Sequence, residues 1–304
     1  MKSTTVIKIL ATGLDFPEGP AFDSVGALWC VELKGGNLVR FEQGRLERIA
    51  TGGEPNGIAI GPHDEIWFCD AGQCAVRRYT PATGKFDTLA SHVNGEVLTK
   101  PNDLAFDAAG NLVFTCPGES QTAPTGYVCC LGRDGSVKKI ADSLYFPNGV
   151  AFVDPPSREG RSRFGGVPSG TTLIIAETHR QRLWRGRWDA AAAAWRDPRP
   201  WADVGGRVGP DGMAAGQDGL VYVAIYSAGQ VKAVAPDGMI ARVFDVPGAN
   251  PTNCAFDPSG QLGLVVTEAE KGLLLSLTGL GPGLSPFAPN PDQGWLLATK
   301  QFGQ

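Results

Sequence analysis

No apolar run in this chain approaches the ~20 residues that a membrane-spanning helix needs. The opening stretch, Met1 to Lys8, also lacks the apolar core of a secretory signal. Long runs of basic residues are missing too. With 27 basic and 31 acidic side chains, the formal charge is −4, which argues against nucleic-acid and anionic-membrane partners. The densest basic stretch, Arg158 to Arg163, reads as a solvated loop. Histidine is down to three residues, and the seven cysteines are an odd number without zinc-knuckle spacing. A disulfide framework is therefore not expected, and free thiols in a reducing cytoplasm are. Low complexity is confined to Ala190–Ala194, and 42% of residues are hydrophobic, which excludes disorder.

What is abundant is punctuation: 41 glycines and 23 prolines, regularly spread, as many short strands with tight turns require. One phrase recurs six times, as Pro17-Glu18-Gly19, Pro55-Asn56-Gly57, Pro101-Asn102-Asp103, Pro147-Asn148-Gly149, Pro210-Asp211-Gly212 and Pro251-Thr252-Asn253. Each copy runs into a short apolar segment such as Ile58-Ala59-Ile60. The spacing is 38 to 46 residues, except for one of 63. A period near 40 with strand-like content predicts a propeller. Each repeat holds four strand patterns, so the expected fold is an all-β, six-bladed β-propeller spanning 1–304 as a single domain. The strand around Thr5 to Leu10 is expected to complete the last blade and close the ring. The long spacing is ascribed to a hairpin insertion from Asp154 to Gly170, on the face away from the slots. Asp-x-x-Gly segments such as Asp23 to Gly26 and Asp107 to Gly110 read as hairpin turns. The ligand spacing of an EF-hand calcium loop is absent. Cys30, Cys69 and Cys116, like Trp29 and Trp67, recur at equivalent second-strand positions and read as packing between blades.

In a propeller, equivalent positions face one axis. Glu18, Asn56, Asn102, Asn148, Asp211 and Thr252 are therefore expected to converge. Asn and Asp beside Pro and Gly are ordinary turn formers, but Glu is not, which makes Glu18 the most telling slot. Carboxylates and amides together suit a hard cation. The absence of His and Cys from the slots disfavours a soft one. The second strands return antiparallel to the same face, so their ends, Glu32, Asp70, Cys116, Glu177, Tyr226 and Glu268, should flank the slots. Tyr226 and His179 at the rim, and Glu119 in the long loop Pro117–Gly126, are candidate substrate contacts. His63 and His92 are assigned no role.

Phe16-Pro17-Glu18-Gly19-Pro20, Pro101-Asn102-Asp103, Phe146-Pro147-Asn148-Gly149, Pro210-Asp211-Gly212 and Pro251-Thr252-Asn253-Cys254-Ala255-Phe256 resemble signature segments of the SMP-30/gluconolactonase/LRE family. The resemblance runs over nearly the whole chain. It implies a six-bladed propeller with one divalent cation in its channel, Ca2+ foremost, with Zn2+, Mn2+ or Mg2+ as alternatives. It also implies hydrolysis of sugar lactones. By the matching motifs, Glu18, Asn148 and Asp211 correspond to the metal ligands, and Asn102 to a fourth ligand or a substrate contact. Lys100-Pro101 departs from the arginine of the animal regucalcin-type members, which separates this chain from their sugar-acid preference.

The mechanism expected is attack of water on a lactone carbonyl whose oxygen the cation polarises. Asp211, the only slot aspartate, is the expected base, with Asp103 in reserve. The alternatives are hydrolysis of other esters or phosphotriesters, and a non-catalytic ligand-binding propeller pinned by a structural cation. Carbon–carbon bond formation of the strictosidine synthase kind lacks a deep-pocket signature. The oligomeric state is not legible in the sequence.

Overall fold

Six antiparallel four-stranded sheets follow one another around a central axis in the structure, a computed structural model that describes residues 5–153 and 172–288. The innermost strands are Pro17–Phe22, Pro55–Ile60, Leu104–Phe106, Pro147–Val153, Gly209–Ala215 and Pro251–Phe256, and each begins blades one to six in turn. Val6–Ala11 pairs antiparallel with Leu273–Thr278 and supplies the outer strand of blade six. The first strand of the chain thus closes the ring on the last, as the sequence predicted. The predicted insertion Asp154–Gly170 lies outside the described residues; it joins the first and second strands of blade four.

The hairpins form where the aspartates demand. Asp23 accepts the Gly26 N–H through its carbonyl, the Ala27 N–H through Oδ1 and the Trp29 indole N–H through Oδ2. Asp107 and Asp257 repeat the pattern, accepting Gly110 and Gly260 at their carbonyls and nearby N–H groups at their side chains. These aspartates are consumed by turns, which is why none is free for a cation.

The core is divided among the blade interfaces. Trp67, Cys69, Phe106 and Cys116 pack between blades two and three. Leu28, Cys30, Val265 and Leu274 pack between blades six and one. Every cysteine of the chain is a free thiol, and six of the seven are buried. No helix among the described residues is long and apolar enough to cross a membrane.

The second-strand carboxylates are structural latches. Glu32 accepts from Arg48, from Asn37 and from the Asp15 N–H. Asp70 holds Arg77 at 2.7 Å and accepts the Glu54 N–H. Glu177 takes Arg182, the Trp184 indole and the Tyr145 N–H. Glu268 takes the Asn250, Glu270 and Lys271 N–H groups. Each latch thus fastens the backbone one or two residues before a slot proline.

Candidate active site

A break in pairing puts the slot side chains on the axis. The ladder between the first and second strands shifts between Glu18 and Ala21, between Pro55 and Ile58, between Pro147 and Val150, between Pro210 and Met213, and between Pro251 and Asn253. Such bulges re-aim a side chain. In blade three, Asn102 and Asp103 precede the regular strand and bond Thr115 through their backbones.

Glu18, Asn56, Asp103, Asn148, Asp211 and Asn253 are all buried, and Asn102 is half-buried. Burial, reinforced by the nearby charge of Asp103, pushes the Glu18 carboxyl from an ordinary 4.5 up to about 8. Burial followed by the charges of Glu18 and Asp103 raises Asp211 well above the carboxylate range, against a hydrogen bond from Asn148. Burial lifts Asp103 to about 6, moderated by the Val150 and Leu104 N–H groups and by Asn253. Among the described residues, none of these three carboxylates has a Lys or Arg in an ion pair. Three mutually repelling buried carboxyls without a cationic side chain are what an oxygen-liganded cation would relieve. No three of the His, Cys, Asp and Glu side chains among the described residues converge as a ligand set by themselves. A cation here must therefore draw on amide oxygens as well. Asn148, whose amide lowers the Asp211 carboxyl, and Asn102 are the amides at hand.

Thr252 occupies the sixth slot but is turned away from ligation. Its hydroxyl donates to the Pro17 carbonyl at 2.7 Å and lies 2.8 Å from Thr267 Oγ1. It therefore rivets blade six to blade one. A threonine in the slot has no carboxylate or amide reach, and the nearby carbonyl claims its only proton.

The next position in the phrase is where sequence reasoning missed a residue. It is glycine in blades one, two, four and five, but Asp103 in blade three and Asn253 in blade six. Those two blades stand opposite each other in the ring. Both side chains enter the channel, where the Asn253 amide lowers the Glu18 and Asp103 carboxyls against the rise that burial causes. The glycines make room for them: a Cβ on Gly57 would stand 2.2 Å from Asp103 Oδ1, and one on Gly212 1.9 Å from Asn253 Cγ.

Above the slots, Phe16, Lys100 and Phe146 each precede a slot proline and hold positive φ, at 60°, 47° and 57°. That backbone is unfavourable for bulky residues, and strain of this kind concentrates at functional sites. The Phe16 ring lies 6.4 Å from that of Tyr226, with Lys34 Nζ 5.0 Å above it. Burial, then the charges of Asp211 and Glu18, raise the Tyr226 phenol. His179 is exposed, stands edge-on to Phe146 at 5.5 Å, and has its imidazole lowered by partial desolvation. Glu119 is exposed and pairs with Lys100. Its loop is pinned below by Ser120, whose hydroxyl accepts the Phe146 N–H at 2.9 Å.

Below the slots, a cavity of about 380 Å3 opens the other way. Ala21, Ala59, Ala105, Ala151, Ala214 and Ala255, one from each blade, line it, and Leu284 to Ala288 cross its outer end. Asp103 and Asn253 face it, whereas Glu18, Asn148, Asp211 and Tyr226 do not. The apolar cavity therefore meets the carboxylate cluster at Asp103 but not at Glu18 or Asp211.

Known proteins share this fold. The profile of the SMP-30/Gluconolactonase/LRE-like region matches residues 16–270. The chain is 26% identical to a gluconolactonase of Zymomonas mobilis, over 85% of this chain and 78% of that one. It is 27% identical to a diisopropyl-fluorophosphatase of Loligo vulgaris, over 83% and 85%. Among solved structures, regucalcin of Agrobacterium tumefaciens, described as a calcium-binding protein, superposes with a TM-score of 0.77. That match has 22% identity and covers 92% of this chain and 95% of that one.

Proposed function

The chain belongs to the SMP-30/Gluconolactonase/LRE-like family, and from that membership we propose that it is a lactonase opening a sugar lactone with one divalent cation, Ca2+ foremost. The observation that carries the reading is the buried trio Glu18, Asp103 and Asp211, unpaired with any cationic side chain among the described residues. The gluconolactonase relative supplies the substrate class.

Glu18, Asp211, Asn148 and Asn102 would hold the cation. When bound, it would polarise the lactone carbonyl and stabilise the oxyanion formed there. Asp211 takes the proton of the attacking water as the oxygen–carbon bond forms; the ring C–O bond then breaks, and the leaving alkoxide recovers a proton to give the open hydroxy acid. Asp103 is the weaker base candidate, because its two carboxylate oxygens already accept the Leu104 and Val150 N–H groups. Phe16, Tyr226 and Phe146 wall the mouth and would set the lactone's face against the slots.

Hydrolysis at phosphorus is the second reading, supported by the fluorophosphatase relative. The same oxyanion stabilisation serves a phosphoryl oxygen. The discriminating experiment is a pH-indicator assay of aldonolactones, aryl esters and phosphofluoridates on chelator-stripped protein, with Ca2+, Mg2+, Mn2+ or Zn2+ added back. Cation-dependent turnover of aldonolactones is the expected result. Turnover of phosphofluoridates alone would favour the second reading. Cation-dependent stabilisation without any turnover would leave a binding propeller.

A further inference from the structure

We propose that Asn253 is a positioning residue that fixes the Glu18 carboxylate for cation binding from the adjoining blade, by donating its amide N–H groups to Glu18 and Asp103. The inference rests on the cation-site reading given above.

Its amide orientation is settled by the backbone. Asn253 Oδ1 accepts the Cys254 N–H at 2.8 Å, so the NH2 end is the one turned towards the carboxylates. The residue is clamped around that amide. Its own N–H donates to Thr267 Oγ1 at 3.1 Å. Thr252, one residue earlier, ties the same strand to the Pro17 carbonyl, next to Glu18. Gly212 presses on the side chain from the neighbouring blade with no Cβ to spare.

The opposite blade repeats the arrangement. The Asp103 N–H donates to Thr115 Oγ1 at 3.2 Å, and Thr115 Oγ1 donates to the Asn148 carbonyl of the next blade at 2.8 Å. One pseudo-twofold device therefore presents an acceptor, Asp103, and a donor, Asn253, at the same level of the channel. A second aspartate in place of Asn253 would set a fourth carboxylate against Glu18, Asp103 and Asp211. A neutral donor holds Glu18 in place without that repulsion. Among the described residues the Glu18 carboxylate accepts the adjacent Gly19 N–H at 3.0 Å and no other backbone N–H, so the loss of Asn253 removes its tie to the neighbouring blade. Asn253 does not reach substrate in this scheme; it acts through Glu18.

The test compares the wild-type chain with Asn253→Ala and Asn253→Leu, the second of which keeps the branched outline of the side chain without its polar atoms. Ca2+ affinity is measured by calorimetric titration of chelator-stripped protein. Tb3+ luminescence lifetimes in H2O and D2O count the waters on the bound ion. Both variants are expected to lose about 10- to 100-fold in Ca2+ affinity, with a gain in bound water on Tb3+ as Glu18 lets go. Unchanged affinity and water count in either folded variant would overturn the proposal and leave Asn253 a packing residue. A wild-type protein that binds no cation would overturn both this inference and the cation site. Normal cation binding without lactone turnover would refute the proposed function alone.

Discussion

Glu18 concentrates the physics of the site. It is buried, it has no cationic side-chain partner among the described residues, and burial raises its carboxyl to about 8. Glu18→Gln removes one formal charge from the cation site. It is expected to lower kcat/KM for an aldonolactone by more than about 100-fold, beyond what a supporting residue costs, and to abolish the calcium-dependent rise in Tm. Steady-state kinetics and a thermal scan check both. Asp211→Asn removes a ligand charge and the base together: weaker Ca2+ binding, and kcat falling at least about 100-fold even at saturating Ca2+, the lower range for a general base, are expected from titration beside kinetics. Retained affinity with full turnover would remove Asp211 from catalysis. Gly212→Ala places a Cβ 1.9 Å from Asn253 Cγ. It should cost about 1–3 kcal/mol in urea unfolding, as overpacking does. The recurrence of the slot phrase made Glu18, Asn148 and Asp211 visible in the sequence. Asn253 was hidden because its position reads as glycine in four of six copies, and an amide in the sixth looks like one more turn former.

Blades one, two, four and six are held from outside by a carboxylate latch. The Asp70–Arg77 pair is the buried example: Asp70 is fully buried, and Arg77 also donates to the Thr51 carbonyl at 2.8 Å. Arg77→Ala strands a buried carboxylate and should destabilise the protein by about 3–5 kcal/mol. Arg78 pairs with Asp87 on the exposed side of the same strand. There Arg78→Ala should cost less than about 1 kcal/mol. Chemical denaturation of the two variants side by side checks the contrast. The sequence placed Glu32, Asp70, Glu177 and Glu268 correctly at strand ends beside the slots. It could not say that each would spend its oxygens on backbone N–H groups, joined by an arginine at Glu32, Asp70 and Glu177, because those partners come from elsewhere in the repeat.

At the scale of the whole ring, the buried carboxylates couple stability to pH and to cation. Glu18 and Asp103 have folded-state pKa values above their unfolded ones, about 8 and about 6, and Asp211 is raised as well. The folded chain therefore binds more protons than the unfolded chain between about pH 4.5 and pH 8. In chelator its stability should fall as pH rises through that window. Added Ca2+ is expected to reverse the loss, by about 2.7 kcal/mol when free cation is 100 times Kd. Thermal scans at pH 5 and pH 8, with chelator and with Ca2+, test this; a chelated protein equally stable at both pH values would contradict it. The sequence by itself determined the fold class, the blade count, the closing strand, the hairpin turns and the side chains of the slots. These follow from local periodicity and turn chemistry, which each repeat carries within itself. Only the tertiary structure decided that Thr252 rivets blades, that the second-strand carboxylates latch loops, and that Asp103 and Asn253 meet across the axis. Those outcomes depend on which blades the ring sets opposite or adjacent, and on burial that exists only once it has closed.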